Sequence, residues 1–94
     1  MFSTKTASKS IQDWTHLPDA RLLQAVAEGN RGAFEALYRR YHPRLLGFAH
    51  RWIEQRDQAE EVVQEVMFAV WKDAASFQGR SRVSTWIFGI TYRQ

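Results

Sequence analysis

The chain has 94 residues, 45% of them apolar and 14% aromatic, with no cysteine and a formal net charge of +3. That is enough for one small domain with a modest core, and it excludes a disulfide framework and any Cys-based metal site. No run approaches the roughly 20 apolar residues of a membrane span, and MFSTKTASKS lacks the apolar segment of a secretory signal; a cytoplasmic protein without a membrane partner is expected.

Residues 1–18 read as a flexible N-terminal arm, in which only Ile11, Trp14 and Leu17 offer packing surface. Pro18 and Asp19 open a short helix that Gly29 is placed to end. Asn30 can cap the next helix. There Phe34, Leu37, Tyr41, Leu45, Phe48 and Trp52 recur every three or four residues. Their phase continues across Pro43, which predicts one long element, Arg31 to Glu54, kinked near the proline. After the polar turn EQRD, Asp57 can cap a third helix, with Glu60 completing a capping box.

The third helix, DQAEEVVQEVMFAVWKDAA, spans residues 57–75. At 100° per residue, Ala59, Val62, Val63, Val66, Ala69 and Val70 form its apolar face, and Glu61, Gln64, Glu65, Phe68 and Lys72 fall opposite. Phe68 therefore sits in a charged stripe. A partner surface has this composition, and so does ordinary surface with one stray aromatic. Residues 76–83 form a donor-rich loop, after which Ser84 can cap a last helix whose Trp86, Ile87 and Ile90 share a face. Its periodicity is still running at Gln94, and a helix of about ten uncapped residues is marginal. The expected fold is all-α, a small bundle of three to four helices over residues 19–94, cut within its last helix. Phe34, Leu37, Leu45, Phe48, Val63, Val66 and Val70 are its expected core.

Charge is segregated along the chain. Residues 31–53 carry five Arg against one Glu, residues 54–73 six acids against two bases, and residues 74–94 three Arg and no acid. An acidic helix beside a basic end suggests two surfaces for two partners. There is no HExxH, Gly-rich phosphate loop or GxSxG. His50 and Glu54 are i, i+4 neighbours, as are Glu61 and Glu65, but no third ligand is evident and the di-iron pattern lacks its His. No catalytic residue, metal or cofactor is assigned. In the loop, Gln78, Arg80, Ser81, Arg82, Ser84 and Thr85 supply donors, while Phe77, Trp86, Phe88 and Tyr92 interleave aromatic surface. Donors and stacking platforms beside a helix N-terminus suit a single nucleic-acid strand or a base drawn from its stack; a polar loop between core aromatics has the same composition.

Three segments, GNRGAFEALYRRYHPRLLGFA, DQAEEVVQEVMFAVWKDAASFQG and STWIFGI, occur in that order. Together they resemble region 2 of a bacterial RNA polymerase sigma factor of the extracytoplasmic-function group, over about Asp19 to Gln94. The resemblance implies a non-catalytic factor that binds RNA polymerase core and recognises and melts the minus-ten promoter element. The acidic helix would dock on the clamp helices of the polymerase's largest subunit through positions matching Glu61, Gln64, Glu65 and Phe68. The following loop would hold the non-template strand and a flipped base through Phe77, Gln78, Gly79, Arg80, Ser81, Arg82, Ser84 and Thr85, with Trp86 next. An anti-sigma factor that covers these surfaces is implied as well. The chain departs from the family at Arg80, often acidic, at Val83, often aromatic, and at Ile90-Thr91-Tyr92-Arg93, where an IARN-like segment is usual. The second sigma domain, which reads the minus-thirty-five element, has no counterpart in these residues. Alternatives are a protein-binding helical module without DNA contact, a metalloenzyme built on His50, Glu54, Glu61 and Glu65, and a basic membrane-surface helix over residues 31–53.

Overall fold

The computed structural model describes residues 14–93, and four α-helices are complete among them. They are α1 (Asp19–Ala27), α2 (Arg31–Ala49), α3 (Arg56–Asp73) and α4 (Val83–Thr91), with one 3-10 turn, Ala74–Ser76, after α3. The all-α bundle read from helical spacing is thus the fold. Residues 1–13 of the expected arm, and Gln94, lie outside the described residues; the last helix, expected to run on at Gln94, ends at Thr91.

The first two helix boundaries follow local chemistry. The amides of Gly29 and Asn30 turn back to the carbonyls of Val26 and Ala25, closing α1 in a Schellman motif. That motif needs a left-handed residue, and Gly29 supplies it with φ of +89°. Asn30 then caps α2, its Oδ1 accepting from the Ala33 amide at 2.9 Å.

Other boundaries differ from the sequence reading. Pro43 lies inside α2, but that helix ends at Ala49 rather than Glu54. The amides of Trp52 and Ile53 fold back on the Ala49 carbonyl, and the Ile53 carbonyl accepts from His50 Nδ1 at 2.9 Å. The spacing runs on to Trp52 because the tight turn still sets its ring edge-on to Phe48, 5.0 Å between centroids. Asp57 does not cap α3. Gln55 holds that position without a side-chain hydrogen bond, and α3 starts one residue before Asp57. The capping box does not form, because Glu60 is drawn to α2: its Oε1 meets His42 Nε2 at 2.7 Å.

The core sits where the helices meet. Leu37, Leu45, Val63, Val66 and Val70 are buried as expected, joined by Leu22, Leu23, Met67, Ile87 and Ile90. Phe34 and Phe48, expected in the core, are half-buried. Phe34 lies edge-on to Tyr38 and Trp71 at the bundle surface, and Phe48 edge-on to Phe88 and Tyr92. Both sit on the margin of the α2 stripe, where rings close a core rather than fill it.

The start of α1 is tied to the middle of α2. Arg40 reaches Asp19 Oδ1 at 2.8 Å, and the Tyr41 hydroxyl donates to Asp19 Oδ2. Burial, then the hydrogen bond to Asp19, push Tyr41 up to about 12, so it stays a phenol that donates at neutral pH. Trp14 and Leu17 pack against the core. Trp14 lies so close to Gly32 that a Cβ there would meet the indole Nε1 at 2.8 Å.

Candidate functional site

On α3 the wheel holds. Glu61, Gln64, Glu65 and Phe68 are all exposed, Phe68 at 63%. Lys72 lies close to it, with Nζ 5.7 Å from the ring centroid. The stripe lines a shallow groove of about 480 Å³. A second groove, about 490 Å³, opens beside Phe68 and Gln64 and extends onto α2 through Phe34, Tyr38 and Arg31, with Trp71 at its edge. The sequence reading missed this extension. Trp71, three residues after Phe68, was the available signal that the aromatic surface continues.

The loop after α3 is shaped by two residues. Gly79 takes φ of +75°, a turn that a side chain resists. Val83, read as loop, is 5% exposed and is the first residue of α4. Burying it starts the helix early, so Ser84 is not the cap. Arg82 holds that position with extended backbone and no side-chain cap. Among the described residues no side chain caps the first amides of α4, and the positive end of the helix faces the loop.

The expected DNA-facing residues divide into two groups. Gln78, Gly79, Arg80, Ser81, Arg82 and Thr85 are exposed, and Ser84 is half-buried. Among the described residues neither Arg80 nor Arg82 forms an ion pair. Phe77 and Trp86 instead turn inward. They are half-buried, packed against the core and edge-to-face with each other at 5.5 Å. Phe77, Gly79, Ser81, Arg82, Val83 and Ser84 line a groove of about 390 Å³ whose other wall is Asp19 and Ala20 of α1. Gln78, Arg80, Thr85 and Trp86 do not line it. Asp19 was missed at the sequence level, because nothing local to α1 shows that its first turn lies beside a loop some sixty residues later.

Chemically this is a binding arrangement: a concave, donor-rich groove with cations at its edge, and a separate acidic stripe with an exposed ring. Among the described residues no three His, Asp or Glu side chains converge as a metal site would require. None of the described helices is long and apolar enough to cross a membrane.

A family model described as Sigma-70 region 2 matches residues 37–94. The chain belongs to the sigma-70 region 2 family. It is 32% identical over 74 residues to the ECF RNA polymerase sigma-E factor of Haemophilus influenzae, covering 79% of this chain and 39% of that protein. It is 35% identical over 72 residues to the ECF RNA polymerase sigma factor SigM of Mycobacterium tuberculosis, 77% and 37% of the two. With the ECF RNA polymerase sigma factor RpoE of Cereibacter sphaeroides it shares 37% identity over 71 residues, 73% and 39%. The chain thus spans about two fifths of the length of these relatives. Among solved structures it is similar to an engineered region 2 of sigmaE, determined by NMR in complex with GTAAAA. The two share 28% identity with a TM-score of 0.73, over 82% of this chain and 80% of that one.

Proposed function

We propose that this chain is a non-catalytic specificity module of bacterial transcription initiation, acting in the cytoplasm. It binds RNA polymerase core through Glu61, Gln64, Glu65 and Phe68, docking on the clamp helices of the largest subunit. The loop groove and its flanking cations then receive the non-template strand of the minus-ten element. The observation that carries this reading is the similarity, over most of the chain, to a region 2 solved in complex with GTAAAA, together with the groove between α1 and the loop. The mechanism is differential binding: stacking and base-edge hydrogen bonds are available to an unpaired strand and not to a closed duplex. An anti-sigma protein that occupies the same two surfaces is the further partner implied.

The inward packing of Phe77 against Trp86 leaves less stacking surface than the sequence suggested. It favours a second reading, a protein-binding module without direct DNA contact. Capture of polymerase core by the chain, followed by titration of a fluorescent GTAAAA strand into the complex, separates the two. Core capture with strand binding supports the proposal. Capture without strand binding gives the protein-only module, and no capture ends both.

A further inference from the structure

One wall of the loop groove is acidic. Asp19, in the first turn of α1, faces Arg82, Ser81 and Ser84 across a space of about 390 Å³, a volume that fits a small planar ligand. It precedes residues 37–94, over which the family model matches. Resting on the strand-binding reading above, we propose that Asp19 determines specificity in this groove: it selects adenine or cytosine, through the exocyclic amine at N6 or N4, over thymine, which carries a keto oxygen at the corresponding position.

The carboxylate is held but not used up. Arg40 donates to Oδ1 at 2.8 Å and Tyr41 to Oδ2, whereas a carboxylate offers about four acceptor sites. Its side chain stays 29% exposed, so acceptor capacity remains open. The two donors come from α2, and Tyr41 is fully buried; they fix the direction of the carboxylate before any ligand arrives. Among the described residues that line the groove, Asp19 is the single acid. Exocyclic amines at N4 of cytosine and N6 of adenine are donors, while O4 of thymine is an acceptor. An amine completes a charge-assisted hydrogen bond to Asp19. A keto oxygen meets a carboxylate oxygen with no proton between them. Repulsion of the strand's phosphates by Asp19 is offset by Arg40 beside it and by Arg82 on the opposite wall.

The test uses the chain bound to polymerase core, with fluorescent GTAAAA as the probe. Each adenine is replaced in turn by purine, which lacks only the amine, or by thymine. The parent should lose about tenfold or more in affinity at one position when purine replaces adenine. Asp19→Ala should bind the adenine and purine strands alike at that position. Asp19→Asn, which can turn its amide toward a keto oxygen, should lose most of the thymine penalty and serves as the second variant if Asp19→Ala loses its helical signal. The inference is overturned if the parent binds every strand but distinguishes adenine from purine at no position, or if the folded Asp19 variants keep the parent's penalties. If the parent complex binds no strand at all, the strand-binding reading fails first and the inference falls with it.

Discussion

Phe68 and Leu45 are both apolar side chains on long helices, and their surroundings give them opposite roles. Phe68 is 63% exposed among Glu61, Glu65 and Lys72, whereas Leu45 is 2% exposed between α2 and α3. Phe68→Ala should shift stability by no more than about 0.5 kcal/mol yet weaken capture of polymerase core. Leu45→Ala should cost about 2–5 kcal/mol, a large share of the stability of a domain this small. Urea denaturation and a core pull-down on both variants check the pair; unfolding of Phe68→Ala would mean that the ring is structural. Glu60 makes a third kind of contribution. Its hydrogen bond to His42, aided by Arg56, holds its carboxyl below the ordinary value of 4.5. The unfolded chain therefore takes up this proton first as the pH falls, so the stabilisation is complete above 4.5 and is lost as the pH drops through the lower folded value. Glu60→Gln should lose less stability than the parent across that window, measured as urea midpoints at neutral and acid pH. Parallel acid losses in the two proteins would show that the His42 contact does not stabilise the fold.

Elements were legible where local chemistry decided them and misread where distant packing did. Gly29 and Asn30 punctuate α1 and α2 through their own backbone and side-chain preferences, which a sequence displays. Asp57 and Ser84 carry equally good cap chemistry, but α3 and α4 start earlier. Val83 is pulled into the core, and Glu60 is claimed by His42, a residue eighteen positions away. The exposed stripe of α3 was legible because helical geometry alone puts Phe68 opposite the valines. The loop's donors were legible as composition, but its acidic wall was not, since Asp19 reaches it only through the tertiary fold. The loop itself yields a prediction. Arg80 and Arg82 are exposed and unpaired among the described residues, so they are free to neutralise phosphate. Replacing both with Ala should weaken binding to every single strand and flatten the salt dependence, by a slope of about 0.7 for each phosphate no longer neutralised. Gln78→Ala, a neutral change, should leave that slope alone. A salt titration with polymerase present reads both, and a double variant with the parent's slope would remove the loop from the DNA interface.

At the scale of the whole molecule, charge and packing separate two tasks. The net-negative stretch 54–73 contains the stripe on α3, and the acid-free stretch 74–94 contains the loop and α4. Between them lies a shared core of Val66, Val70, Val83 and Ile87, so each surface can be changed without dismantling the other. Under the proposed function, strand capture by this small groove should be limited in strength. A stacked base contributes about 1–3 kcal/mol, and Phe77 and Trp86 already spend part of their ring surface on each other. Unpairing and extruding a base costs about a few kcal/mol. These magnitudes nearly cancel, so the chain alone should bind a preformed single strand weakly and leave a duplex closed. Under the proposed function, docking of the stripe on polymerase would present the strand at high local concentration and tip the balance toward opening. A duplex carrying 2-aminopurine in the GTAAAA segment reports this as a fluorescence rise on unstacking. The rise should require the chain and polymerase core together, should fail with the chain alone, and should be reduced by Phe68→Ala although that residue lies outside the loop groove. Opening by the isolated chain would mean that the groove grips a base far harder than its half-buried rings allow.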